Sequence, residues 1–132
     1  MVDGSGGAAI RADVAVEGGR IVAVGPGLAY AGVTEVDGSG LTLAPGFIDT
    51  HTHDDTSVIE TPEMLPKVSQ GVTTVVVGNC GISAAPVRLT GGPPDPMVLL
   101  GGKELFRYPT FAAYVQALEG ASGSVFGVML PL

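Results

Sequence analysis

Apolar positions in the first third of the chain come in short runs broken by glycine. Asp13-Val14-Ala15-Val16 leads into Glu17-Gly18-Gly19-Arg20, and Ile21-Val22-Ala23-Val24 follows at once. Two apolar runs across a Gly-Gly pair predict a β-hairpin, because glycine accepts the positive φ that a tight hairpin turn demands. A further run at 33–36 meets Asp37-Gly38-Ser39-Gly40 and then Leu41-Thr42-Leu43. Together these predict a small antiparallel sheet within residues 1–45, closed by the turn residues Ala44-Pro45-Gly46.

After that boundary the pattern changes. Residues 47–53 are a strand candidate, and 72–77 form an unbroken β-branched run. Such a run fits a parallel strand covered on both faces. Between them, Thr61-Pro62-Glu63 reads as a helix start with Thr61 as cap, and Gly71 as a stop. Pro66 lacks an amide hydrogen and clashes one turn back, so this helix is expected to be short or kinked. Thr110 caps a clearer helix, with Phe111, Tyr114, Val115 and Leu118 on one face and Gly120 at its end. A last strand is expected at 124–130. The order strand, helix, strand, loop, helix, strand predicts βαβ units and an α/β fold. Residues 87–109 are rich in glycine and proline and too long for a simple connection. Loops of that length are usually functional or disordered.

Composition narrows the picture. Glycine and proline, 21 and 10 of 132 residues, reach about twice their ordinary share. Yet 45% of residues are apolar and the mean hydropathy is +0.43, so the surplus reads as turns between short strands and not as disorder. The formal net charge of −7 excludes partners that need a basic face, nucleic acid and anionic membrane. No apolar run approaches the roughly 18 residues of a membrane span. The first residues lack the positive start and apolar stretch of a signal peptide. The single cysteine, Cys80, has no partner for an internal disulfide, which points to a reducing, cytoplasmic setting.

The chemical signal begins at Gly46-Phe47-Ile48-Asp49-Thr50-His51-Thr52-His53-Asp54-Asp55. Residues two apart diverge on a helix but share a side on a strand. His51 and His53 can therefore approach one metal ion together if this segment is extended. Imidazole nitrogen suits zinc and its neighbours in the first transition row. Asp49 shares their phase and could orient a ligand by hydrogen bonding. The plain alternative is a pair of strand-end histidines with ordinary hydrogen bonds, although these two are the chain's whole supply. Cys80 lies just past the 72–77 run, at the C-terminal strand edge where α/β folds gather their active sites. One βαβ crossover separates it from His53, so the two strand ends are expected to be neighbours. Spacing alone leaves Cys80 open between an inert buried thiol, a metal ligand and a nucleophile. Asp54 and Asp55 could serve as a ligand and a loop cap, although adjacent acids at a strand end are commonly just solvated. Lys67 reads as a charge on a helix surface.

These residues resemble a known family. The stretch 46–55 looks like the strand-one metal signature of the amidohydrolase superfamily. The block Gly71-Val72-Thr73-Thr74-Val75-Val76-Val77-Gly78-Asn79-Cys80-Gly81-Ile82-Ser83 is more specific. It resembles the N-acyl-D-amino-acid deacylases (D-aminoacylases), a branch in which a cysteine supplies a zinc ligand. Leu99-Leu100, Phe106-Arg107-Tyr108-Pro109 and 111–118 fit the same branch, and 11–43 is similar to the first strands of its accessory β-sandwich.

The resemblance implies a (β/α)8 barrel beside a small β-sandwich, with 1–45 in the sandwich and 46–132 forming the first three barrel strands. It implies metal-assisted hydrolysis of the amide of an N-acyl-D-amino acid to a carboxylate and a free D-amino acid. By similarity, Cys80 would hold a tightly bound zinc together with histidines from later strands. His51 and His53 would line a second, weaker metal position; from their place beside the histidines, Asp49 and Asp55 are the candidate supporting acids. The general base would be a later aspartate. A full barrel takes about 250 residues, so the chain is expected to be an N-terminal piece of such an enzyme, clipped at both ends and inactive alone. Two other readings stand beside this one. A cyclic-amide hydrolase of the dihydroorotase or hydantoinase kind shares the two-histidine strand, but such enzymes usually bridge their metals with a carboxylated lysine. A non-catalytic metal-binding or inert remnant is the second.

Overall fold

The computed structural model describes residues 1–29, 34–121 and, as backbone alone, 126–129. The chain divides into two compact units, Met1–Pro45 and Gly46–Leu132.

In the first unit, β1 (Asp13–Glu17) pairs antiparallel with β2 (Arg20–Gly25), Glu17 facing Arg20 across the turn. Gly18 and Gly19 take φ of 56° and 74°, the paired left-handed values that a two-residue hairpin turn needs. The rest of the expected sheet does not form. Residues 41–43 make no strand; Val2 N donates to Leu43 O, and Leu41 N closes a turn onto Gly38 O. Leu41 is 73% exposed, so the run has no packed surface to hold it in a ladder. Part of the 33–36 run lies outside the described residues.

The second unit is α/β. Its sheet has the order β3 (Phe47–Asp49), β4 (Val72–Val77), β5 (Phe126–Met129), with both pairings parallel. Only 126–129 of the expected last strand falls within the described residues. Parallel neighbours require crossovers, and two short helices, α1 (Ser57–Glu60) and α2 (Leu65–Val68), make the first. The predicted helix start at Thr61 is corrected here, because Thr61 ends α1 and does not cap α2. Pro66 is tolerated only in a helix's first turn, so α2 begins one residue before it. α3 (Phe111–Gly120) supplies the second crossover with the predicted cap, Thr110 Oγ1 accepting from Ala113 N at 3.2 Å.

Val75 and Val77, on one face of β4, have no exposed surface. Val58, Met64, Ile82, Ala84, Ala85, Leu100, Phe106, Tyr108 and Tyr114 complete the core. The other face of β4 is only partly covered, so the two-sided cover expected of its β-branched run is half present. The long 87–109 segment folds into two single-turn 3₁₀ helices, Met97–Leu100 and Lys103–Leu105, and puts Leu100, Phe106 and Tyr108 into the core. No helix among the described residues is long and apolar enough to cross a membrane.

Candidate metal centre

The ends of β3 and β4 lie side by side, since Asp49 is in register with Val75. Beyond Asp49 the chain stays tied to β4: Thr52 N donates to Val76 O at 3.4 Å. The strand expected over 47–53 is thus corrected to Phe47–Asp49: the chain bends at His51, and both histidines follow the strand's end, on either side of the buried Thr52. His51 is exposed and His53 half-buried, their rings edge to face at 5.8 Å between centroids.

Cys80 arrives from the other strand through a turn, Asn79–Gly81, that few sequences could make. Cys80 itself has φ 60° and ψ 18°, between Gly78 at φ 80° and Gly81 at φ 70°. Left-handed backbone in a residue other than glycine costs about 1–3 kcal/mol and gathers at functional sites. The turn carries the thiol back over the β3 end, where Cys80 Sγ lies 3.2 Å from His51 Nε2.

One ligand-capable atom from each of His51, His53 and Cys80 lies within 4.8 Å of the others. Tetrahedral zinc, with bonds of about 2.0 Å to nitrogen and about 2.3 Å to sulfur, sets two such donors about 3.5 Å apart. The observed spacing fits such an ion after small side-chain adjustments. A second observation agrees: His53 Nδ1 is buried and has no hydrogen-bond partner among the described residues. A buried polar atom left unpaired is costly unless something binds it. The residues present therefore fit a zinc-like ion.

Hydrogen bonds fix both arms of the cluster. Asn79 Nδ2 donates to Val76 O at 2.7 Å and to Thr52 O at 3.2 Å, joining the His51-Thr52-His53 segment to the cysteine turn. Asp55 has no exposed surface; its carboxylate accepts from Gly78 N at 3.4 Å and Ala84 N at 3.3 Å, on either side of Cys80. Burial pushes the Asp55 carboxyl above its ordinary range, against the pull of those two amides. Tyr114 donates its hydroxyl to Asp55 O at 2.7 Å, and burial together with the nearby Asp55 charge raises its phenol.

Asp49 does not reach a histidine ring. Its Oδ1 accepts from His51 N at 3.3 Å, and its Oδ2 accepts from Lys67 Nζ at 2.8 Å. That hydrogen bond from Lys67 holds the Asp49 carboxyl below its usual range. Lys67 Nζ also lies 3.0 Å from Asp54 Oδ2, an ion pair without hydrogen-bond geometry. Lys67 is thus no free surface charge: its side chain is 22% exposed and set between two acids. The roles of Lys67, Asn79 and Tyr114 carry little sequence signal, because each depends on at least one partner 18 or more residues away.

The amidohydrolase family pattern matches residues 34–124. N-acyl-D-aspartate deacylase of Alcaligenes xylosoxydans xylosoxydans is 54% identical over 125 residues, 95% of this chain and 25% of that protein. D-aminoacylase of the same organism is 49% identical over 125 residues, 95% of this chain and 26% of its own length. Among solved structures, N-acyl-D-glutamate deacylase from Bordetella bronchiseptica, complexed with zinc and a phosphonate mimic of the tetrahedral intermediate, superposes with a TM-score of 0.83 at 44% identity. That match covers 98% of this chain and 27% of that one. A D-aminoacylase with a binuclear metal centre superposes equally well, at 0.83 and 47% identity, over 90% of this chain and 25% of the other. The chain spans about a quarter of the length of the relatives it matches. Its parallel sheet and strand-end cluster agree with these likenesses, and the chain belongs to the amidohydrolase family.

Proposed function

We propose that this chain forms part of a zinc-dependent hydrolase that cleaves the amide of N-acyl-D-amino acids. In that reaction water adds its oxygen to the acyl carbon, the C–N bond breaks, and the amine leaves with a proton as the free D-amino acid. The observation that carries the reading is the donor cluster of His51, His53 and Cys80 on two adjacent parallel strand ends. Its likeness to deacylases of N-acyl-D-aspartate and N-acyl-D-glutamate supplies the substrate class. The sheet β3–β4–β5 is read as the start of a (β/α)8 barrel and 1–45 as part of a β-sandwich. The lone Cys80 supports a cytoplasmic site of action.

Cys80 is assigned to a tight zinc position completed by groups outside this chain, and His51 and His53 to a weaker position beside it. The ion's contribution when bound is Lewis acidity and a lowered pKa for water. The chain's own contribution is to place two imidazoles and a thiolate on rigid strand ends and to hold them there through Asn79 and Asp55. Among the described residues, no acid beside the cluster is left free to accept a proton. Asp49 and Asp54 face Lys67, and Asp55 is committed to Gly78 and Ala84. The 132 residues alone are therefore expected to show no turnover.

The test is hydrolysis of N-acetyl-D-aspartate, N-acetyl-D-glutamate and N-acetyl-D-methionine against their L forms, in the full protein before and after Cys80→Ala. Zinc-dependent turnover of a D substrate, lowered about 100-fold or more by the substitution, is the expected result. Undiminished turnover in Cys80→Ala, or preference for a cyclic amide, overturns it.

A further inference from the structure

Lys67 stands at a position that the donor cluster does not explain. It belongs to α2, in the crossover between β3 and β4, and its ammonium lies 2.8 Å from Asp49 Oδ2 and 3.0 Å from Asp54 Oδ2. Those two acids bracket His51-Thr52-His53, one on each side. Asp49 in turn accepts from His51 N, so the ammonium is one carboxylate away from the backbone of a ligand residue. All three side chains are mostly withdrawn from solvent, at 22%, 34% and 21% exposure. An ion pair of this kind is screened less than a surface pair.

The approach of Lys67 is itself held by an unusual backbone. Met64, just before α2, has φ 44°, the left-handed region, while its side chain is buried at 5% exposure. Lys67 N and Val68 N both donate to Met64 O, at 2.9 and 3.0 Å. The strained residue thus anchors the turn that carries the ammonium.

We propose that Lys67 is a positioning residue that grips both flanks of the His51-Thr52-His53 segment and sets the two imidazoles for metal. The proposal rests on the metal reading given above.

The test is cobalt(II) titration of the metal-free full protein, with the sulfur-to-cobalt charge-transfer band reporting the Cys80 position and calorimetry the second, weaker step at His51 and His53. K67M is expected to weaken that second step about 10–100-fold, the usual cost of removing a partner that orients a metal ligand. K67R, which can still span two carboxylates, is expected to recover most of the affinity. Because the clamp acts on the histidine segment, the sulfur band should survive in K67M at saturating cobalt, whereas in Cys80→Ala it should vanish. R107M, which breaks the separate Glu60–Arg107 ion pair, serves as the control for general loss of an ion pair. Cobalt binding by K67M equal to that of the unaltered protein overturns the proposal, as does an equal loss in R107M or no recovery in K67R. If K67M does not fold, D49N and D54N each remove one arm, and unchanged affinity in both overturns it. No sulfur band in the unaltered protein would overturn the metal reading first, and this proposal with it.

Discussion

In the β1–β2 hairpin Val16 and Ile21 stand 65% and 62% exposed, whereas in β4 Val75 and Val77 have no exposed surface at all. The four are β-branched residues in strands of nearly equal length, so intrinsic strand preference does not separate them. The difference lies in what each strand is joined to. The hairpin closes through a two-residue turn and is defined by its own ladder. β4 is reached by a crossover, and Val58 of α1, Tyr114 of α3 and the long segment after β4 share a core with its Val75 and Val77. Among the described residues every buried apolar side chain lies between Val58 and Tyr114. Local pairing is enough to define strands, but only the crossover unit has built a core, and the donor cluster stands on that unit.

The strongest way to break this contrast is at Tyr114, the largest fully buried side chain. Tyr114→Ala is expected to cost the second unit about 3–5 kcal/mol, seen as loss of amide-exchange protection in β4 while the hairpin's exchange is unchanged. Zinc should sharpen it. At 100 times its Kd, an ion bound at the Cys80 position adds about 2.7 kcal/mol. Slower exchange should appear at 72–82 and not at 13–25, and a chelator should reverse it. Thr110→Ala removes the hydrogen bond to Ala113 N and is expected to destabilise α3 by about 1 kcal/mol in urea unfolding. Smallest of all, Ile21→Thr should change stability by no more than about 0.5 kcal/mol. A larger loss in the full protein would mean that the hairpin's apolar side is covered there, and the contrast would shrink.

The parts of the fold legible in the sequence are those whose cause is local. Gly18-Gly19 announces a hairpin, and Thr110 and Gly120 bracket α3, because each feature is decided within a few residues. The 72–77 run announces β4 by its side chains alone. The meeting of His51, His53 and Cys80 was legible for a different reason, since strand alternation and one crossover length are simple geometry. The break between α1 and α2 was not, because nothing in Met64 marks it for left-handed backbone. Residues 41–43 carried a strand pattern but found no partner surface. Adjacent acids such as Asp54 and Asp55 suggest a solvated end, yet Asp55 is fully buried. Its partners, the amides of Gly78 and Ala84, become visible only once β4 lies beside β3. Lys67 reads only as a helix charge for the same reason, since its two carboxylates belong to the end of β3 and the turn just after it.

The left-handed backbone at Cys80 also bears on how this site could change over generations. A donor at position 80 must be attached to a main chain with φ 60°. Among side chains that bind metals, aspartate and histidine enter that region far more readily than glutamate does. Drift that replaces the thiolate thus meets a filter before any ion is bound, one that admits short or ring donors and turns away a long carboxylate. The turn between two glycines restricts the chemical repertoire open to this lineage, as well as positioning the sulfur.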